Sequence, residues 1–184
     1  MNDVAETPPD LIAPVDAELH GALIIAAIKA AGIQTVISVP DRTTASGLLR
    51  PIASDSELRH VRVCEEDETI AIAAALSYAN HRALALFQYT GLLDSVNAIR
   101  GVAVEYQMPI CMMVGLLGKE PGVAPTDSKH YGLRIIEPIL DAMGVDHLLL
   151  ETDDDIPKIV PAIDNAYASS RPIVMLVGRS PIAP

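Results

Sequence analysis

Short apolar, β-branched segments alternate with segments of helical periodicity along almost the whole chain, and this alternation constrains the fold most strongly. Buried strands are predicted at residues 33–39, 60–64, 83–88, 110–115, 147–150 and 173–177. Helices are predicted between them at residues 15–31, from about residue 44, and at 67–80, 94–106, 133–143 and 156–168. Strands spaced in this way, about 25 to 35 residues apart, require right-handed crossovers. The pattern therefore predicts a doubly wound α/β fold, with a parallel sheet of about six strands and helices on both faces.

Composition limits the class of protein. The 184 residues give room for one domain of ordinary size, so residues 15–184 are predicted to form a single α/β domain. Only 3% of the residues are aromatic, which implies an aliphatic core. With 13 Lys and Arg against 24 Asp and Glu, the net charge of −11 argues against non-specific binding of nucleic acid or of an anionic membrane surface.

The N-terminal segment and the cysteines bear on the compartment. Residues 1–14 are acidic and Pro-rich, and are predicted to be a flexible arm. They lack the basic and apolar regions of a signal peptide, and no apolar run in the sequence is long enough for a membrane span. Cys64 and Cys111 belong to no C-x-x-C or Cys/His ligand spacing. A cytoplasmic protein without a metal site of its own is therefore expected.

Functional residues are expected in the loops after the strands, because open parallel sheets bind ligands beyond the carboxyl ends of their strands. These loops are predicted at residues 40–44, 65–68, 89–94 and 116–132. The first of them carries no dinucleotide fingerprint, and the sequence has no P-loop and no nucleophile elbow. Cys64 is followed directly by four carboxylates, which disfavour a thiolate nucleophile, so it is interpreted as a small apolar residue at a strand end.

The acidic segment at residues 65–68 stands where a strand becomes an Ala-rich helix. Carboxylates at a helix N-terminus interact well with the helix dipole, which accounts for the acids but not for the small residues behind them. The order of strand, Glu and small-residue helix resembles the pyrimidine-binding (PYR) domain of thiamin-diphosphate enzymes. Ala75 falls at that family's usual Gly position, and counting back nine residues makes Glu66 the family's catalytic glutamate. A shift of one residue would assign that role to Glu65.

Two further segments are similar to one branch of this family, which contains phosphonopyruvate decarboxylase and the alpha subunit of sulfopyruvate decarboxylase. The segment SVPD at residues 38–41 and the segment QYTGLLDSVN at 88–97 match motifs of that branch. The resemblance covers about residues 15–180, and it implies that Glu66, Gln88, Thr90 and Gly91 contact the cofactor. Some motif residues differ, among them Tyr89, Thr90 and Leu93 within the second segment and Arg42 after the first. By resemblance these residues line the pocket, so the departures bear on the identity of the substrate more than on that of the cofactor.

The resemblance also implies a mechanism and a partner. In this family the glutamate contacts N1′ of the aminopyrimidine of thiamin diphosphate, and a second domain with a G-D-G motif holds the diphosphate through Mg²⁺. The sequence contains no G-D-G. The expectation is therefore a beta subunit that carries the diphosphate-binding (PP) domain and the Mg²⁺, in an α2β2 assembly or a multiple of it.

The substrate is inferred from charge. Arg42, Lys129 and His130 lie on predicted loops at the sheet edge, whereas Arg100 and Arg134 lie on predicted helices. If the loops converge, their cations offer donors for a 2-oxo acid with a second anionic group, such as sulfopyruvate or a phosphonopyruvate-like acid. Ordinary solvated charges are the alternative for each of them, and His130 could also relay a proton. Pro40 and Asp41 are candidate substrate contacts by resemblance, although Asp41 is explained equally well as the turn residue after Pro40.

Three functional hypotheses remain open from the sequence. The first is the alpha subunit of a two-chain thiamin-diphosphate-dependent decarboxylase that acts on a 2-oxo acid. The second keeps the fold but assigns the Ala-rich helix and the acidic segment to assembly alone. The third is a stand-alone α/β domain that binds a small anion. Substitution of Glu66 within an intact assembly distinguishes the first hypothesis from the second.

Overall fold

The computed structural model describes residues 16–184, so the predicted arm at residues 1–14 lies outside the described part. The strands are β1 (Thr35–Ser38), β2 (Arg59–Arg62), β3 (Ala83–Gln88), β4 (Cys111–Gly115), β5 (Asp146–Leu150) and β6 (Ile173–Val177). The main helices are α1 (Gly21–Ala30), α2 (Arg50–Ser54), α3 (Glu66–Tyr78), α4 (Tyr89–Asp94), α5 (Val96–Ala98), α6 (Tyr131–Arg134), α7 (Ile136–Met143) and α8 (Ile159–Ser169). Wide π-type turns precede α2 (Ala45–Leu49) and follow α5 (Ile99–Glu105), and 3-10 turns occupy Pro125–Asp127 and Asp153–Lys158.

All six strands are parallel and lie in the order β2-β1-β3-β4-β6-β5. From β1 the chain moves outward to β2 and then crosses back to β3 on the other side of β1. The neighbours β1 and β3 therefore form a topological switch point, where a crevice opens at the carboxyl ends of the strands. The predicted doubly wound α/β fold with about six strands is confirmed.

The two faces of the sheet pack against different helices. On β3, Leu84 and Leu86 point to one face, whereas Ala85 and Phe87 point to the other. The first face is covered by α1, α2 and α8 through Ile24, Ile28, Ile52, Ile159 and Ile163. The second is covered by α3, α4 and α7 through Ile70, Ala73, Leu92, Ile136 and Leu140. The core is aliphatic as expected, and the chain's one Phe, Phe87, is fully buried within it.

Two predicted boundaries are wrong for identifiable physical reasons. Helix α1 begins at Gly21 instead of residue 15, because the backbone from Leu19 to Gly21 pairs with Ile182. The N–H of Gly21 donates to the carbonyl of Ile182, and the N–H of Ile182 donates to the carbonyl of Leu19. The predicted loop at 89–94 is helix α4, which starts directly after Gln88 without a connecting residue.

Within residues 16–184, no helix is both long enough and apolar enough to cross a membrane.

Candidate active site

The carboxyl edge of the sheet brings four chain segments together. β1 leads into residues 39–44, β2 into α3, β3 into α4, and β4 into a long loop that ends at α6. Because all strands are parallel, these segments emerge at one edge. Helix α4 packs against both α3 and α6, so residues from β2, β3 and the long loop are neighbours there.

Glu66 is the first residue of α3, and its side chain lies against Gly91 of α4. A β-carbon placed on Gly91 would stand 2.1 Å from Cγ of Glu66 and 2.5 Å from its Oε1. Gly91 is therefore required for this position of the Glu66 carboxylate. Among the described residues, no other side chain hydrogen-bonds to that carboxylate.

Burial raises the pKa of the half-buried Glu66 carboxyl, and the neighbouring charges of Asp94, Glu65 and Asp67 raise it further. A hydrogen bond to the residue's own backbone opposes this shift. Glu66 consequently holds a proton at higher pH than an ordinary Glu does, a property typical of carboxyl groups that exchange protons with a ligand.

The other acids at the start of α3 have different surroundings. Glu68 accepts hydrogen bonds from the backbone N–H groups of Cys64 and Glu65, each at 3.0 Å. Glu65 is the N-cap residue, exposed and in an extended conformation. Glu68 is thus used in capping the helix, Glu65 faces solvent, and Glu66 is the member of the group that is turned toward α4.

Asp41 is buried with 2% of its surface exposed, and its carboxylate is fully engaged within the chain. It accepts hydrogen bonds from the N–H groups of Thr43 and Thr44 at 3.1 and 3.0 Å, and from Oγ1 of Thr44 at 2.8 Å. A β-carbon on Gly115, at the end of β4, would lie 2.1 Å from Oδ2 of Asp41. This geometry supports the role of turn residue, which fixes the loop after β1, whereas its neighbours Pro40 and Arg42 are exposed.

Gln88 and Thr90 form a polar pair where β3 meets α4. The amide nitrogen of Gln88 donates to Oγ1 of Thr90 at 3.1 Å. Between them, Tyr89 extends its ring over Gly132 of α6, where a β-carbon would lie 2.9 Å from Cε2 of the tyrosine. The segment that departs from the family motif therefore forms the contact between α4 and α6.

The cations of the long loop have partners within the loop. Lys129 is exposed and lies 3.6 Å from Glu120, while the ring of His130 covers Gly118. Arg134 donates to the carbonyls of Ser128 and Lys129. Of the three candidate substrate cations, Lys129 has an ion pair, whereas the side chains of Arg42 and His130 form no hydrogen bond or ion pair within residues 16–184. Arg100 belongs to another part of the surface, where it pairs with Glu105 and Asn97.

A buried ion pair beneath this loop was missed in the sequence. Lys119 follows β4 and Glu151 follows β5, and their side chains are 0% and 4% exposed. The ammonium group of Lys119 binds the Glu151 carboxylate and also donates to the carbonyl of Glu120 at 3.2 Å. A carboxylate directly after an apolar strand was the available signal, because Glu151 follows Leu150 as the acidic segment follows β2.

Glu120 closes the same loop. It accepts a hydrogen bond from Oγ of Ser128 at 2.7 Å and one from the N–H of Lys129 at 3.3 Å. The Ser128 hydrogen bond, with help from Lys129, lowers the pKa of the Glu120 carboxyl to about 2. The Lys119–Glu151 pair therefore fixes the start of the loop, and the hydrogen bonds of Glu120 connect this start to residues 128 and 129.

Both cysteines are unpaired, with Cys64 exposed and Cys111 buried. Burial raises the pKa of the Cys111 thiol to about 12. In the described part of the chain, no three His, Cys, Asp or Glu side chains are grouped so that they could hold a metal ion.

Comparison with known proteins gives a consistent set of relatives, although no protein-family profile matches the chain. It is 33% identical over 97 residues to sulfopyruvate decarboxylase subunit alpha of Methanothermobacter thermautotrophicus, covering 53% of this chain and 58% of that protein. It is 26% identical over 160 residues to sulfopyruvate decarboxylase subunit alpha of Methanocaldococcus jannaschii, covering 86% and 93%. Phosphonopyruvate decarboxylase of Streptomyces viridochromogenes is 24% identical over 153 residues, which cover 83% of this chain and 36% of that protein. The resemblance predicted from the motifs is confirmed.

Proposed function

We propose that this chain is the alpha subunit of a two-chain, thiamin-diphosphate-dependent decarboxylase of a 2-oxo acid. The observation that carries the proposal is the position of Glu66, a half-buried carboxyl of raised pKa at the carboxyl edge of the sheet, beside a glycine. The names of the relatives support a decarboxylase subunit. The cofactor and the role of Glu66 rest on the motifs and on this geometry.

The residues present fit the pyrimidine end of thiamin diphosphate. Glu66 offers a carboxyl group with no competing side-chain donor among the described residues, and Gly91 offers a surface without a side chain next to it. Gln88 and Thr90, which precede Gly91 by three residues and by one, add hydrogen-bonding groups. When bound, thiamin diphosphate supplies the carbon nucleophile and the electron sink that decarboxylation of a 2-oxo acid needs.

Each residue then has a definite task. Glu66 shares a proton at N1′ of the pyrimidine, for which its raised pKa is suited, and partial burial strengthens that hydrogen bond. Gly91 keeps the carboxylate in place by leaving room for it. Asp41 and the Lys119–Glu151 pair hold the loops after β1 and β4, which emerge at the same edge of the sheet as Glu66.

A partner subunit completes the proposed site. Several relatives are named subunit alpha, and this sequence has no G-D-G motif. We place the diphosphate, the Mg²⁺ and the PP domain on a beta subunit, with active sites at the interface of an α2β2 assembly or a multiple of it. Tyr131 of α6 is 68% exposed close to this edge, and exposed aromatic residues are enriched at protein interfaces.

For the substrate we propose sulfopyruvate or a phosphonopyruvate-like acid. The exposed Arg42 has an uncommitted guanidinium, and His130 is exposed at the end of the long loop. A second anionic group on the substrate would be matched by one of these donors. Lys129 is less available to bind this anionic group, because it already pairs with Glu120.

The two-chain proposal predicts that the purified chain alone neither binds thiamin diphosphate tightly nor releases carbon dioxide from sulfopyruvate or phosphonopyruvate. Activity should appear when the beta subunit is added, and it should saturate at a one-to-one ratio of chains. Calorimetry for cofactor binding and a carbon dioxide assay test both statements. Full activity of the isolated chain would refute the two-chain proposal.

Gly91→Ala is expected to lower kcat/KM of the assembled enzyme roughly tenfold to a hundredfold, because its β-carbon displaces the Glu66 carboxylate. The displaced group is a flexible side chain, so the free energy of unfolding should change by no more than about 1 kcal/mol. Gly101→Ala is the matched control, since its β-carbon would meet nothing within 4 Å. Equal activities of the two variants would contradict the assigned role of Gly91.

A further inference from the structure

A cleft of about 400 Å³ lies between α2 and the strands β1 and β2, at the outer edge of the sheet. Its polar side is formed by Arg50, Arg62 and His60, and its apolar side includes Leu49 and Ala53. Helix α2 packs on the sheet face that also carries α1 and α8, whereas α3 with Glu66 packs on the other face. The sheet therefore separates this cleft from the α3 side.

The two arginines of the cleft lack the partners that other cations of this chain have. The side chain of neither Arg50 nor Arg62 forms a hydrogen bond or an ion pair within the part of the chain that the structure describes. Elsewhere Lys29, Arg82, Arg100 and Lys158 each bind a carboxylate. Acidic residues outnumber Lys and Arg by 24 to 13, yet none of those between residues 16 and 184 lines the cleft.

His60 lies beside these arginines. One ring nitrogen is 2.7 Å from Oγ of the buried Ser38, which fixes the imidazole at the wall of the cleft. Burial lowers the pKa of His60, and the positive charge of Arg62 lowers it further, so the ring favours its neutral form and offers a hydrogen-bonding group. The guanidinium of Arg62 stands close to the ring. The positive charge of the cleft comes from Arg50 and Arg62, and a bound anion would offset it.

We propose that this cleft binds a small organic anion with a phosphonate, sulfonate or phosphate headgroup. Arg50, Arg62 and the imidazole of His60 surround the headgroup, since planar guanidinium groups bind such oxyanions through paired hydrogen bonds. The apolar part of the anion packs against Leu49 and Ala53. The cleft shares Pro40 with the candidate substrate contacts, but the inference rests on Arg50, Arg62 and His60 and does not depend on the function proposed above.

The test is a titration followed by NMR of the arginine side-chain N–H signals, on the full chain in whichever assembly it purifies. Inorganic phosphate probes the headgroup alone and butylphosphonate adds an apolar part, both at an ionic strength kept constant with NaCl. We expect saturable shifts of the Arg50 and Arg62 signals, with tighter binding of butylphosphonate. Arg50→Met and Arg62→Met should each weaken binding about tenfold or more.

Arg59→Met is the matched control. Arg59 is an exposed arginine of the same strand, but strand alternation directs its side chain to the opposite face from His60 and Arg62. Replacement of Arg59 should leave binding unchanged. Arg62→Lys should give an intermediate affinity, because it keeps the positive charge but loses the paired hydrogen bonds of the guanidinium group. Shifts that do not saturate, or equal weakening by Arg59→Met, would overturn the proposal. Tighter binding of inorganic phosphate than of butylphosphonate would overturn the organic part of it.

Discussion

Glu66→Gln in the assembled enzyme is expected to lower kcat by about three orders of magnitude. Glutamine has nearly the shape of glutamate, so it keeps the contact with Gly91 and the start of α3. It cannot exchange a proton with the ring nitrogen of the cofactor, which is the task proposed for the Glu66 carboxyl. Steady-state decarboxylation by the purified complex, with its stoichiometry checked by gel filtration, measures the effect.

The neighbouring acid supplies the control. Glu65→Gln changes an exposed N-cap residue of the same helix, so kcat should stay within about tenfold of the unmodified enzyme. A large loss with Glu65→Gln and a small one with Glu66→Gln would transfer the catalytic role to Glu65. Full activity of both variants in an intact complex would favour a subunit whose acidic segment serves assembly alone.

Lys119→Met is expected to lower the free energy of unfolding by about 3 to 5 kcal/mol, because it leaves the Glu151 carboxylate buried without a counter-charge. Adding Glu151→Leu to this variant should restore most of the loss, since the double variant buries two apolar groups in place of two charges. Urea unfolding of Lys119→Met, Glu151→Leu and the double variant, followed by circular dichroism, gives the coupling between the two sites.

An ion pair whose lysine is exposed shows what a less buried pair contributes. Lys158 and Asp155 lie 2.7 Å apart with the lysine side chain 58% exposed, so Lys158→Met should cost less than about 1 kcal/mol. If Lys119→Met cost no more than Lys158→Met, the buried pair would not stabilise the loop between β4 and α6. A double variant as unstable as Lys119→Met alone would show that packing, and not the missing charge, dominates.

The sequence was most informative where a strand is buried on both faces. β3 and β6 were predicted with their observed bounds, because a central parallel strand is a continuous apolar run with polar residues at its ends. The parallel order of the sheet followed from the spacing of such runs. From this parallel order we predicted correctly that the acidic segment and the segments after β1, β3 and β4 emerge at one edge of the sheet.

Predictions from the sequence failed where tertiary contacts determine the local structure. A loop was predicted at residues 89–94, but the missing side chain of Gly91 lets helix α4 pack against Glu66 there. Lys119 and Glu151 are 32 residues apart, and no local pattern marks them as a pair. Counting back from Ala75 predicted Glu66 and left Glu65 as the alternative one residue away, and the surroundings of the two differ in the structure.

Three acids at the carboxyl edge each rest on a glycine of a neighbouring segment. Glu66 lies against Gly91, Asp41 against Gly115 and Glu151 against Gly178, and a β-carbon on any of these glycines would lie within 2.8 Å of a carboxylate oxygen. In evolutionary terms these positions are linked in pairs. A β-carbon on the glycine would displace its acid, so we expect the glycine to accept a replacement only after the acid has changed to a smaller residue. Each pair is therefore expected to change in a fixed order, with the acid first.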